Sequence, residues 1–424
     1  MKVIVIGAGA AGLMASIKAS ENGHQVILLD SNEKCGRKLY ITGKGRCNVT
    51  NNVAPNEFIK NVVTNPKFMY SAINNFTPSD TIDFFNDRGV ELVTERGNRV
   101  FPKSYKASDI IDCLYNECKK NGVRIVFSSK VTKVEKKNDL FYVNTTKLMY
   151  TCDKLIIATG GASYSATGST GDGYYFAKLF NHKVTKLYPA LCPIMIKNNF
   201  PKTFNNLELK NVSLTCVTEK FKKTLFGEMT FVDNGISGPI VLTLSSLINK
   251  EVVKELSIDF KPALTHEKLD ERLLKDFLER RNESLNSVMR GLLPQVLINV
   301  FLNKIKVDGT KKVNEITKNE RLLILNNLKK FDLTFEKLDS IERSIVTSGG
   351  VDVNEINPRT MESKLVSGLY FAGEVVDIDC FTGGFNVQCA LSMGYIAGSN
   401  ILKKGDLNLL FKLFLSFVWS VRFF

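Results

Sequence analysis

Residues 3–30 constrain the fold of this chain more than any other stretch. Val3-Ile-Val-Ile6 is an unbroken β-branched run, as expected of a strand buried on both faces of a parallel sheet. Gly7-Ala-Gly-Ala-Ala-Gly12 follows at once, and Leu13 to Asn22 reads as a helix closed by Gly23. Gln25-Val-Ile-Leu-Leu-Asp30 then supplies a second strand ending in an acid. A bare GxGxxG means little, but strand, glycine turn, helix and acid in register define a dinucleotide-binding unit. Gly7 makes the tight turn, Gly9 lets the backbone approach a pyrophosphate, and Gly12 lets the helix pack on the strand. Ala10 and Ala11 open a helix whose free N–H groups favour a diphosphate. Asp30 is placed to accept from a ribose 2′-OH, which argues for the adenosine of FAD or NAD and against a 2′-phosphate.

At 424 residues the chain exceeds one compact core, and 44% hydrophobic content suits two or three ordinary domains. The net charge of +14 is spread along the chain, with only short clusters such as Lys220-Phe-Lys-Lys223. That favours anionic partners, whether nucleotide, RNA or acidic lipid, and equally describes a solvated lysine-rich surface. The nine cysteines include no CxxC pair, and Cys113 and Cys118 lie in a helical pattern without histidine partners. Neither zinc nor an iron–sulfur cluster is indicated, and a reducing cytoplasm fits best. His24, His182 and His266 stand far apart in sequence, which argues against a Ser-His-Asp triad or a histidine metal site. The opening MKVIVIGAGAAG reads as a first strand rather than a secretion signal.

Three later stretches decide between FAD and NAD. Asp153 to Gly161 is a buried strand ending in Ala158-Thr159-Gly160-Gly161, and it resembles the strand that returns to the nucleotide in two-dinucleotide-fold flavoproteins. Leu365 to Glu374 is a second strand, with Gly373-Glu374 at its end, resembling the second flavin contact of that fold. Such flavoproteins usually carry Asp where Glu374 stands, so Asp377 or Asp379 could share that contact. Gly383-Gly384-Phe385-Asn386-Val-Gln388 then opens a helix to about Ala397, whose N–H groups can face a flavin edge or a phosphate.

Together these motifs resemble the BaiN-like and YhiN-like FAD-binding oxidoreductases, also called the aminoacetone oxidase family. The matching stretches are Gly36-Arg37-Lys38, Thr42-Gly-Lys-Gly-Arg-Cys-Asn-Val-Thr-Asn51, Arg99-Val-Phe-Pro102, Thr170-Gly-Asp-Gly-Tyr174, Asn234-Gly-Ile-Ser-Gly-Pro239 and Thr347 through Gln388. The resemblance implies an α/β fold: a Rossmann-like FAD domain of the two-dinucleotide-binding type, interrupted by a β-rich module and a small helical module. The expected boundaries are 1–189 and 341–406 for the FAD domain, 190–264 and 332–340 for the β-rich insertion, and 265–331 for the helical subdomain. Short strands expected at 212–217, 223–226 and 229–231 and a helical pattern after the N-cap Thr265, broken at Gly291, agree with this. The apolar stripes of that helical region read as module core rather than a ligand groove.

The resemblance extends the cofactor contacts to Ser31, Arg37, Lys38, Gly43, Gly45 and Val131, and places the Arg46-Cys47-Asn48 loop against the flavin. Arg46 would stabilise charge on the pyrophosphate or reduced flavin, and Asn48 would bond to the ring edge or fix the loop. Two readings of Cys47 stand: a proton donor to a substrate carbon, or a small buried residue that packs. Gly168 to Gly173 does not follow a strand and reads as a structural turn, leaving the NADH or NADPH donor without a located site. The family's implied activities include reduction of uridine in large-subunit ribosomal RNA, steps of bile-acid dehydroxylation and oxidation of small amino ketones. The expected function is therefore reduction of a C=C or C=N bond with electrons from NAD(P)H, ribosomal RNA being favoured by the +14 charge, with the inserted modules as its docking surface. The alternatives are a flavin oxidase or reductase of a small molecule, and a non-catalytic flavin-containing RNA-binding module. The tail at 407–424 reads as an in-plane amphipathic helix or as an incidental terminus, and no transmembrane span is expected.

Overall fold

A computed structural model describes residues 1–197, 200 and 204–401. The chain forms two compact units, Met1–Leu187 with the segment from Val346 onward, and Tyr188–Ile345.

The first unit is built on a five-stranded, all-parallel sheet in the order Leu369–Phe371, Lys154–Ile157, Lys2–Ile6, Gln25–Leu29, Arg124–Val126. Val3, Ile4 and Val5 have essentially no exposed surface, because both faces of a parallel sheet are covered. The strand at 369–371 enters from the far end of the chain, and the helix Phe385–Ser399 follows it. That helix lies along helix Ala10–Glu21 at a separation only glycine permits. A Cβ on Gly394 would come within 2.3 Å of the Ala11 oxygen, and one on Gly398 within 2.4 Å of the Ala15 oxygen. Small residues facing one another thus join the two ends of the chain into one domain.

Two antiparallel three-stranded sheets complete this unit. One pairs Thr50–Asn51, Arg99–Pro102 and Leu92–Glu95; the other pairs Val131–Lys137, Leu140–Thr145 and Met149–Cys152. Sequence separation argued against a histidine triad, yet folding aligns Ser363, His182 and Glu355. His182 Nε2 lies 2.7 Å from Ser363 Oγ and Nδ1 lies 3.0 Å from Glu355 Oε2. Burial holds the imidazole pKa below its usual value. The Ser363 oxygen accepts from Leu365 N and Val366 N, so its hydroxyl proton goes to the histidine. With His182 and Ser363 both buried, this cluster fastens loops together.

The second unit carries a seven-stranded sheet in the order Phe331–Leu333, Val253–Asp259, Glu208–Thr218, Lys222–Val232, Gly235–Ser237, Ile194–Ile196, Phe335–Leu338. The three short strands expected at 212–231 are parts of two eleven-residue strands. Thr265 caps helix His266–Glu279, its side chain accepting from Lys268 N. Gly291 falls in the break between Leu285–Met289 and Gln295–Lys304. The helical region at 265–331 does not form a body of its own. Phe301 packs against Phe260 and Phe331, and Leu269, Leu273 and Leu297 are fully buried in the core that includes strand residues Leu256 and Ile258. An amphipathic helix of this length needs an external apolar face to cover its stripe, and the sheet provides it. No helix among the described residues is long and apolar enough to cross a membrane. The 407–424 tail lies outside the described residues.

Candidate flavin site

The Gly7–Gly12 turn has the geometry its spacing predicts. Gly7 adopts φ +103, and a Cβ there would meet the Ala158 oxygen at 2.4 Å; a Cβ on Gly12 would meet the Gly7 oxygen at 1.8 Å. At Gly9, the N-cap of helix Ala10–Glu21, a Cβ meets no atom within 4 Å. Two glycines are therefore required by the protein's own packing, while the middle one borders space that a pyrophosphate would use. Asp30 accepts from Ala8 N at 2.6 Å, Asn32 N at 2.7 Å and Asn32 Nδ2 at 2.9 Å. A carboxylate has about four acceptor positions, so a ribose hydroxyl can still be received. Arg37 reaches Asn32 Oδ1 at 2.8 Å and thereby orients Asn32. Ser31 is exposed beside this acid. Val131 is buried, and the preceding segment runs alongside through Ser129 N to Asp30 O and Ser128 N to Asn32 O, both 2.8 Å. Ser129 Oγ is buried here without a hydrogen-bond partner among the described residues. Sequence reasoning missed both Ser129 and Asn32.

The returning strand Lys154–Ile157 leads into Thr159-Gly160-Gly161. A Cβ on Gly161 would press within 2.7 Å of both Glu374 Oε1 and Thr347 Oγ1. Lys38 and Glu374, each expected at the cofactor, are joined to one another instead. Lys38 Nζ donates to Glu374 Oε2 at 2.6 Å and to Ser163 Oγ at 2.7 Å, while Glu374 Oε1 accepts from Thr347 N at 2.9 Å. The glutamate's charge is thus balanced by Lys38 within the protein. Gly373 packs on Ala11, where a Cβ would lie 2.9 Å from the alanine methyl. Asp377 is buried, with its N–H on Val351 O and its carbonyl accepting from Asn65 Nδ2. The 168–173 segment is a turn, as expected: Gly171 N donates to Gly161 O, and Gly171 caps helix Asp172–Leu179.

The loop at 42–48 is built from left-handed residues: Gly43 (φ 62), Lys44 (φ 60), Gly45 (φ 84) and Cys47 (φ 57). Its curl is closed by Cys47 N to Thr42 O at 2.9 Å and anchored by Ala107 N to Gly45 O at 2.9 Å. The non-glycine residues cost about 1 kcal/mol or more each in this conformation. The Cys47 side chain has no exposed surface, and burial pushes its thiol pKa up to about 12. Arg46, expected at the pyrophosphate or reduced ring, turns to the 92–102 hairpin. Its guanidinium lies 4.4 Å from the Phe101 ring centre and 5.6 Å from that of Tyr105, with Nη1 3.5 Å from Glu95 Oε1.

Asn48 is the residue the loop delivers to the site. Its Oδ1 is buried and has no hydrogen-bond partner among the described residues. It faces the N-cap of helix Phe385–Ser399: a Cβ on Gly384 would come within 2.9 Å of Asn48 Oδ1 and 2.2 Å of Thr50 O. Asn51 Nδ2 donates to Gly383 O at 2.9 Å. The loop and the glycine pair, more than 330 residues apart, are thus brought together. An unpaired buried amide oxygen costs about 1–3 kcal/mol, so the fold holds an acceptor ready at a helix N-terminus, which fits a flavin ring edge offering N–H donors. The other residues expected at this helix have protein partners. Phe385 packs on Phe58, Asn386 bonds to Cys380 N, Cys380 O and Phe381 O, and Gln388 donates to Phe76 O and Ser392 Oγ inside the core. Helical rotation turns these side chains toward protein.

A parallel Rossmann sheet, a pyrophosphate turn and a glycine-capped helix returning from the far end of the chain define an FAD-dependent oxidoreductase. The sequence profile of the HI0933-like protein Rossmann domain matches residues 1–400. The chain belongs to that family. It is 32% identical over 408 residues to the ribosomal RNA dihydrouridine synthase of Escherichia coli K12, covering 94% of this chain and 97% of that one. It is also 27% identical over 404 residues to the 3-dehydro-bile acid delta(4,6)-reductase of Clostridium scindens, covering 94% and 98%. Among solved structures, a 3-ketosteroid-delta4-(5alpha)-dehydrogenase from Rhodococcus jostii RHA1 shares the fold, with TM-score 0.52 at 13% identity over 95% of this chain and 96% of that one.

Proposed function

We propose that this flavoprotein reduces a C=C bond with electrons drawn from NAD(P)H, and that its substrate is uridine in ribosomal RNA. The observation that carries the reading is the near-complete, 32% identical match to a ribosomal RNA dihydrouridine synthase, since dihydrouridine is uridine with its ring C=C reduced. In this proposal Gly9, Ala10 and Ala11 hold the pyrophosphate, Asp30 the ribose, and Asn48 with the Gly384 helix end the flavin ring edge. Bound FAD supplies the hydride chemistry. Lys38 and Glu374 brace the turn at Gly161 rather than touching substrate. Cys47 packs the loop: a thiol without exposed surface and with a pKa near 12 is a poor proton donor at neutral pH.

The match to a bile-acid reductase favours one alternative, an unsaturated ketone as acceptor. Anaerobic titration of the flavin-loaded protein with NADH and NADPH identifies the donor. The reduced protein is then offered large-subunit ribosomal RNA and, separately, an unsaturated 3-oxosteroid. Re-oxidation with dihydrouridine formed in the RNA is expected. Re-oxidation by the steroid alone moves the substrate to the alternative, and peroxide release under air with substrate as electron source makes the protein an oxidase.

A further inference from the structure

The sequence placed a nucleic-acid docking surface on the inserted unit, but several cations there are paired with neighbouring acids. Lys220 pairs with Glu251, Lys254 with Glu219 and Lys330 with Glu255. The surface around the 42–48 loop is different. Tyr40 and Tyr105 expose 60% and 44% of their surface, far more than ring burial would allow. Lys44 and Arg96 are exposed and have no acidic partner among the described residues. Arg46 and Arg99 share a single acid, Glu95, at 3.5 and 3.9 Å, so their charge is incompletely cancelled.

These groups are tied to the flavin site by short connections. Arg96 and Arg99 sit at the tip of the 92–102 hairpin, where Glu95 pairs across to Arg99. Asn51 Nδ2 donates to Gly97 O at 3.1 Å in that tip and to Gly383 O at 2.9 Å in the helix cap. Tyr105 is held against Arg46 through the same Phe101 ring that the guanidinium covers. Cations at intervals with exposed flat rings between them match a single strand, whose phosphates need the charge and whose unstacked bases need the rings. An acidic protein would use the charges without the rings.

We propose that Tyr40, Lys44, Arg96, Arg99 and Tyr105, with Arg46 between them, form a docking surface for single-stranded RNA beside the flavin site. It deepens the substrate reading above and rests on it only for the identity of the nucleic acid. The phosphates on either side of a target nucleotide would lie on the arginines and Lys44, and a neighbouring base would stack on a tyrosine.

The test is fluorescence anisotropy of the full-length, FAD-loaded protein with a labelled uridine-rich 12-nucleotide RNA, repeated across salt concentrations. Two contacts to a single strand contribute about 1.4 to the slope of log affinity against log salt. Arg96→Ala with Arg99→Ala should lower the slope by about that amount and weaken binding at least tenfold. Tyr40→Ala should weaken it about fivefold or more with no change in slope. Flavin absorbance and reduction by NADPH should be unchanged in both variants, which excludes loss of folding. Wild-type affinity in the arginine variant, together with loss in Lys222→Glu/Lys223→Glu, overturns the proposal and returns docking to the insertion. Unchanged RNA binding with lost binding to phosphatidylglycerol vesicles also overturns it, by assigning the surface to lipid. RNA bound through these residues without dihydrouridine formed would leave the surface standing and sink the reaction.

Discussion

The turn at Gly7–Gly12 and the loop at 42–48 both belong to the candidate flavin site, yet they use glycine for different reasons. In the first, a side chain is excluded by collision: 2.4 Å to the Ala158 oxygen from Gly7 and 1.8 Å to the Gly7 oxygen from Gly12. In the second, a Cβ on Gly45 would meet nothing closer than 3.9 Å, but the backbone at φ 84 disfavours one. The first turn is held by packing. The second is held by conformation, includes two non-glycine residues in the same strained region, and carries the unpaired Asn48 oxygen. Left-handed non-glycine backbone and the unpaired Asn48 acceptor thus lie together in the loop that the proposed function places at the ring.

Substitutions within the first turn should separate fold from binding, with the largest effects of all. Gly12→Ala forces helix and strand apart and should cost about 3 kcal/mol, read as a fall of the thermal midpoint in the flavin-free protein. Gly9→Ala, at a position with φ −86 and open space, should leave that midpoint in place and weaken FAD binding at least tenfold. If both variants melt alike, the assigned division between packing and cradle is wrong.

Asn48→Ala should act in the opposite sense to most binding-site changes. Removing a buried, unpartnered acceptor should leave the flavin-free protein equally or more stable, while FAD affinity falls about tenfold, the worth of one hydrogen bond at about 1.4 kcal/mol. A destabilised apoprotein would mean that Asn48 serves the loop and not the cofactor. Lys44→Gly should stabilise by about 1 kcal/mol through relief of its left-handed backbone, seen as a higher denaturation midpoint.

The smallest effect is expected at Cys47. Cys47→Ala should retain turnover within about twofold with FAD still bound, since the thiol has no exposed surface. Its folded pKa near 12 lies above the ordinary 9.0. The buried neutral thiol therefore contributes stability that is complete below pH 9 and is lost as pH rises from 9 toward 12. Urea titrations at pH 8 and pH 10.5 should show that part of the alkaline loss disappears in the alanine variant. A hundredfold fall in turnover would restore the cysteine as the proton donor.

What was legible in the sequence was what short range determines. Gly7, Gly9, Gly12 and Asp30 sit within one βαβ unit, so spacing alone fixed their arrangement, and Thr265 announced its cap three residues ahead. What the sequence could not show was side-chain direction. Asn386 and Gln388 lie in the right helix, but rotation turns one to the Cys380–Phe381 carbonyls and the other to Phe76. Glu374 and Lys38, 336 residues apart, each seemed available because neither could reveal the other. Gly394 and Gly398 were passed over because a close helix crossing shows only when Ala11 and Ala15 are in place. The Ser363–His182–Glu355 cluster and the surface joining Tyr40 to Arg96 are likewise products of folding, with no local signature.

The most direct measurement is dihydrouridine itself. Purified protein carrying FAD is incubated without oxygen with NADPH or NADH and unmodified large-subunit ribosomal RNA, and the nucleosides are quantified by mass spectrometry. A site-specific gain of two mass units at one uridine, absent with Gly9→Ala, is the predicted result. Flavin that is reduced by the nicotinamide and re-oxidised by an unsaturated ketone, with every uridine in the RNA unchanged, would contradict it.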